Sequence, residues 1–305
     1  MLRGFRRSST RRSVIGLAAI AACASLAAAA ATAALADPPP ALFAGGQNGV
    51  VFAHGAGHGK PRRGGAQQLA YHFGSVMTNG AAVKSIFWGT SWNQGDDKIS
   101  GMDTFYAGVG GTGYAATNTE YTDGSGPVSG TVSSSGHVID NSMAPSGGPS
   151  TSAVLAVVAR NISNPTTNGY YPVYSDQKRG NLGYCAWHSW GYVGNTLVQF
   201  AFFFNLDGDA GCNPVDTSGL HIQGLAAIAN VSGHELSEAL TDPHGDAWYD
   251  SSGNENADKC AWTFSGSLIT FTNGSQWKIQ GNWSNNAYTF GGSYLGAGSG
   301  CIDGH

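Results

Sequence analysis

His234, Glu235 and Glu238 stand in the run Val231-Ser232-Gly233-His234-Glu235-Leu236-Ser237-Glu238-Ala239-Leu240-Thr241-Asp242-Pro243. On a helix, His234 and Glu238 are four apart and share one face, with Glu235 about 100° round. An imidazole and a carboxylate so placed can ligate a divalent cation, and a glutamate beside the first ligand can act as base toward a metal-bound water. The usual form of this helical motif has His at the second ligand position. Glu238 there admits zinc and also favours harder ions. Glu255, 17 residues after Glu238, is the expected third ligand, and Asp258 follows it. Asp242 could orient His234 from behind. His188, three residues after Cys185, could be a fourth ligand or an acid. Zn2+ is the expected cofactor, with Glu235 as the catalytic base. The competing reading is a hydrogen-bonded structural network that needs no ion.

The surroundings sharpen the choice. Leu225, Ala229, Ser232, Leu236, Ala239 and Leu240 form a mostly apolar stripe, and Ala227 and Val231 flank the His234 side. A helix apolar nearly all round is buried on more than one side. It is expected over 216–240, capped by Asp216, Thr217 or Ser218 and stopped before Pro243. From Asn181 to Asp258 there is no Lys or Arg but there are ten acidic residues. Charges carried into such a place need compensation, and a cation is the simplest form of it. The acidic stretch 250–255 fits a calcium loop only loosely and reads first as a solvated turn.

Residues 1–36 read as an export signal. Arg3, Arg6, Arg7, Arg11 and Arg12 precede an Ala-rich run that ends at Ala34-Leu35-Ala36. Arg11-Arg12 also resembles a twin-arginine signal. Removing five of 15 basic residues leaves ten against 19 acids, a net charge of −9. That excludes nucleic acid or an anionic membrane as a bulk electrostatic partner. No later apolar run is long enough for a transmembrane span. Four cysteines remain: Cys185, Cys212, Cys260 and Cys301. An even number in an exported chain implies two disulfides, and sequence proximity favours Cys185–Cys212 and Cys260–Cys301 among three pairings.

Residues 37–65 read as an extended arm with a short strand over 49–53 and two loop histidines, His54 and His58. The pattern predicts a strand or helix in 66–78, strands at 83–88, 170–174 and 196–206, and a helix over 96–106. The run 152–160 fits a helix or a buried strand. Loops and short strands are expected in 108–150, and hairpins built from 268–272, 276–280 and 287–290. The expected fold is α+β: one domain, a mixed or antiparallel sheet on a central buried, zincin-like helix, and C-terminal hairpins. Trp187, Trp190, Trp248 and Trp262 suit sugar stacking or plain packing, with packing the default.

The chain resembles the exordium-like (phosphate-induced) secreted proteins of plants, which have bacterial relatives. The pieces that carry this are Tyr71-His72-Phe73-Gly74, Ser85-Ile86-Phe87-Trp88-Gly89-Thr90-Ser91-Trp92, Gly183-Tyr184-Cys185-Ala186-Trp187-His188, 233–243, Ala247-Trp248-Tyr249 and 255–260. They run in the same order within 66–305, over most of the mature chain, with the middle, about 108–170, outside the resemblance. The resemblance implies an extracellular or cell-wall-associated protein and no established reaction. It carries over His234, Glu235, Glu238, Glu255, Cys185 and His188. The plant pattern does not reliably hold an acid at Asp258, which puts it behind Glu255. Two functions follow as expectations. One is a zinc-dependent, peptidase-like hydrolase; the other is a non-catalytic protein that binds an extracellular peptide, protein or wall glycan. A two-carboxylate glycosidase would need a partner for Glu235 or Glu238 from another element.

Overall fold

Six strands supply the frame: β1 (Asn48–Phe52), β2 (Ala81–Trp88), β3 (Val132–Asp140), β4 (Gly169–Lys178), β5 (Tyr184–Val193) and β6 (Thr196–Asn205). The computed structural model describes residues 44–56, 68–296 and 299–305. The predicted leader 1–36, His58 and much of the 37–65 arm lie outside the described residues. In space the strands run β1-β5-β6-β4-β2-β3. β6, β4, β2 and β3 are mutually parallel, while β5 is antiparallel to both β6 and β1. The sheet is therefore mixed. With the helices and the short C-terminal pairs it makes an α+β domain, as expected.

Parallel neighbours need crossovers, and right-handed crossovers in opposite directions put their helices on opposite faces. Helix α1 (Asp97–Val109) links β2 to β3, and α2 (Thr151–Asn161) links β3 to β4. Tyr106 of α1 meets Tyr174 of β4, hydroxyl to hydroxyl at 3.0 Å, and Phe87 stacks on Tyr174. Trp88, the next residue of β2, points the other way and lies under Arg160 of α2. Asp96 and Ser150 cap the two helices through the amides of Lys98 and Ala153. The ambiguous run 152–160 is thus helix, because a cap precedes it and its buried Val154, Leu155, Val157 and Val158 follow a helical spacing.

Helix α3 (Gln223–Thr241) lies on the α1 face and is buried at every position from Gly224 onward. Its side away from the sheet is covered by the C-terminal segments: Gln280 N–H donates to Asn230, and the Asn282 amide donates to Ser237. Leu225, Ile228, Val231, Leu236 and Leu240 each contribute about 1.5–3 kcal/mol by burial.

Three expectations are corrected. α3 starts at Gln223, not 216. The Asp216 carboxylate accepts from Ser218 N–H and contacts His221 Nδ1, and His221 stacks on Trp277 at 4.2 Å, so 216–222 is held in turns. Residues 287–290 belong to a short helix (Asn285–Phe290) because Ser284 caps it through Ala287 N–H. Within 108–150 lies the nine-residue β3, whose serines are tolerated because it is an edge strand. One C-terminal hairpin (Ile269–Thr270 with Gln276–Trp277) forms as expected, and Asn282–Trp283 pairs with Cys301–Ile302. The disulfides are Cys185–Cys212 and Cys260–Cys301. Among the described residues no helix is long and apolar enough to cross a membrane.

Candidate metal centre

Most polar side chains on α3 are spoken for. Ser232 meets Tyr174 at 2.8 Å, Thr241 bonds back to Ser237 O, and Asn230 and Ser237 are held as above. His234, Glu235 and Glu238 differ. They project from α3 toward β1, β5 and the segment 255–260, and all three are fully buried.

His188 enters from β5. Strand pairing sets it opposite Ala201 of β6 and Asn48 of β1, so a small neighbour leaves room in front of its ring. Its Nε2 lies 3.4 Å from Glu255 Oε2 and 4.0 Å from Glu238 Oε2. Two carboxylates are arranged alike around it. Glu238 Oε1 accepts Asp258 N–H at 2.9 Å and Glu255 Oε1 accepts Gly49 N–H at 3.1 Å. Each keeps its second oxygen, Oε2, buried and without a hydrogen-bond partner among the described residues, as are both nitrogens of His188; Glu235 has the Val51 amide nearby but no hydrogen bond aligned with either oxygen. Ligand atoms of His188, Glu235 and Glu238 lie within 4.8 Å of one another.

A second group adjoins the first through Glu238. His234 Nε2 is 2.9 Å from Glu238 Oε1 and 3.5 Å from Asp258 Oδ1, in contact with both but misaligned for a hydrogen bond. Its other nitrogen, Nδ1, faces the Gln280 amide at 3.0 Å. Asp258 is the one member that reaches solvent, its side chain 20% exposed.

None of Glu235, Glu238, Glu255 or Asp258 pairs with a lysine or arginine among the described residues. Lys259, the nearest in sequence, is bound to Asp250 at 3.1 Å and lies over the Trp283 ring. Burial therefore pushes the Glu235 and Glu255 carboxyls well above the usual range. It raises Glu238 to about 7, with Asp258 adding to the effect. Burial lowers His188 to about 3, so its ring is neutral and free to ligate. Burial opposes charge on His234, while Glu238 and Asp258, both beside Nε2, outweigh it and favour a proton on that nitrogen.

The sequence candidates distribute as follows. His188, His234, Glu235, Glu238, Glu255 and Asp258 come together. Asp242 does not reach His234; its Oδ1 accepts the amides of Asp246 and Ala247, and burial raises its carboxyl to about 6. Asp250 is taken up by the amides of Ser252 and Asn254 and by Lys259, as in a closed turn. His54 packs edge-on to Trp262, and His137 pairs with Asp103. Trp187 is buried and packs on Phe200 and Phe202. Two participants had no sequence signal as such: Gly49 and Gln280. Gly49 has φ +44°, and a Cβ there would lie 2.0 Å from Glu238 Oε2 and 2.4 Å from His188 Cδ2.

Comparisons with protein-family models, curated proteins and solved structures found no match.

Proposed function

We propose that this is an exported, disulfide-stabilised metalloprotein whose buried cluster holds one divalent cation, zinc being the first candidate. The carrying observation is the convergence of poorly partnered ligand atoms of His188, Glu235 and Glu238, with Glu255 Oε2 3.4 Å from His188 Nε2. A buried polar atom left unpaired costs about 1–3 kcal/mol, and more if charged, so several together call for a shared partner. A cation supplies one partner for all of them. Closure of the site favours an ion that holds structure rather than one that turns over substrate, because His188, His234, Glu235 and Glu238 are all at 0% exposure. The ion would fasten α3, β1, β5 and segment 255–260 to one another. On this reading the protein is a non-catalytic extracellular one, and its partner is a peptide, a protein or a wall glycan. The two disulfides and the exordium-like motifs support that setting.

Elemental analysis of the purified mature protein, beside Glu238→Ala, tests the reading. One equivalent of zinc in the wild type, lost in the variant, is the expected result. No metal in the wild type, with thermal stability unchanged by chelator, refutes it.

The second reading is a metal-dependent hydrolase with Glu235 as base, and the partial exposure of Asp258 favours it as the entry for water. Turnover of a peptide library that disappears in Glu235→Gln while zinc stays bound would establish it.

A further inference from the structure

The zinc-hydrolase motif makes the first histidine of the helix a ligand. We infer, on the footing of the metal reading above, that His188 supplies the only imidazole ligand. His234 instead keeps its Nε2 proton and positions Glu238.

Gln280 fixes which nitrogen of His234 carries the proton. Its side-chain orientation is fixed from two sides: Oε1 accepts Trp262 N–H at 3.2 Å, and Nε2 donates to Ala257 O at 2.8 Å. Flipping the amide would set oxygen against the Ala257 carbonyl and N–H against the Trp262 N–H. The group facing His234 Nδ1 at 3.0 Å is therefore an NH2 donor, so Nδ1 is an acceptor. An imidazole accepting at Nδ1 carries its proton on Nε2. A metal-bound histidine has the reverse arrangement: metal on one nitrogen and N–H on the other, given to a carboxylate, carbonyl or water. Metal on His234 Nε2 would leave Nδ1–H pointing at N–H.

The contacts of Nε2 agree. At 2.9 Å from Glu238 Oε1, a bare nitrogen lone pair would repel the carboxylate, whereas N–H attracts it and Asp258 as well. With the Asp258 backbone amide on the same oxygen, Glu238 has Oε1 fixed and Oε2 left facing His188. Among the described residues His188 Nδ1 meets neither a donor nor an acceptor, so a proton there with metal on Nε2 is not opposed as it is at His234, although it lacks the acceptor that a metal-bound histidine usually has. The donor set becomes one imidazole from β5 and three carboxylates, Glu235 and Glu238 from α3 and Glu255 from the following loop.

Zinc titration of the mature chain separates the alternatives. The wild type should bind one equivalent, His188→Ala should lose it, and His234→Gln, which retains a donor, should keep one equivalent with affinity reduced by about 10–100-fold at most. A His234→Gln protein that is folded but zinc-free overturns the assignment and leaves the metal reading standing. Wild type without zinc overturns both. Because either variant could fold poorly, the wild type is also read directly. Two-dimensional 15N–1H spectra of the histidine rings in the zinc-loaded protein should show the His234 proton on Nε2 and metal on His188. A His234 proton on Nδ1 with zinc on Nε2 overturns the assignment irrespective of any variant.

Discussion

Glu238 and Glu255 each spend one oxygen on a backbone amide and keep the other dry and unpaired. That division makes a carboxylate a fixed ligand rather than a mobile one, since the anchored oxygen sets where the free one points. It also has a pH signature. Glu238 is raised to about 7 in the folded chain, above its unfolded value near 4.5. A carboxyl so raised contributes stability that is present at low pH and lost as pH climbs through the folded value. His188, lowered to about 3 from 6.5, works in the opposite sense but only below about 6.5. In the window from pH 6.5 to 8 the carboxyls act without that opposition. Melting in chelator should therefore show a Tm that falls from pH 6.5 to 8, and melting in excess zinc should show one that rises, because the ion displaces those protons. A chelated Tm that rises over this window would count against a metal-free cluster of protonated carboxyls.

At the level of elements, the site depends on how closely β1 can approach α3. Strand β1 pairs with β5 and brings the Gly49 amide to Glu255, in a left-handed conformation that a side chain resists. A methyl group there would occupy the space of Glu238 Oε2 and the His188 ring. Gly49→Ala should destabilise the protein by about 1–3 kcal/mol in urea unfolding, and should weaken zinc binding as well. Unaltered stability and stoichiometry would show that β1 does not close the site. The elements also explain which expectations held. Strand β2 and helix α1 were legible because their apolar spacing is local. Strand β3 was not, because an edge strand may show serine to solvent and so lacks the alternation of a buried one. The start of α3 was misplaced because Asp216, a good cap by type, is committed to Ser218 and His221 instead.

Across the whole molecule, the two disulfides lie beside the two ligand segments outside α3 but bear different loads. Cys185 sits on β5, three residues before His188, where the ladders to β1 and β6 already hold the strand. Cys260 ends the single 3-10 turn that carries Asp258 and follows Glu255, and its partner Cys301 lies in a two-residue pairing with Asn282–Trp283 outside the main sheet. Either bridge should contribute about 2–4 kcal/mol. Cys185→Ser/Cys212→Ser should thus lower the Tm with zinc affinity nearly intact. Cys260→Ser/Cys301→Ser should lower the Tm and also weaken zinc binding by at least about tenfold, the cost typical of disturbing a ligand's support. Equal zinc affinity in the two double variants would contradict this division of labour.

Local patterning already places His234, Glu235 and Glu238 together on a buried helix in an acidic neighbourhood without lysine or arginine. The pairing of four cysteines is legible in the same way, because helical periodicity, charge and composition are properties of neighbouring residues. It takes the folded chain to bring Glu255 and His188 to the same point, to turn Asp242 away, and to set Gln280 against the far side of His234. Those contacts span 20 to more than 200 residues of chain and depend on strand register and on which oxygen a backbone amide happens to reach. No local pattern encodes them.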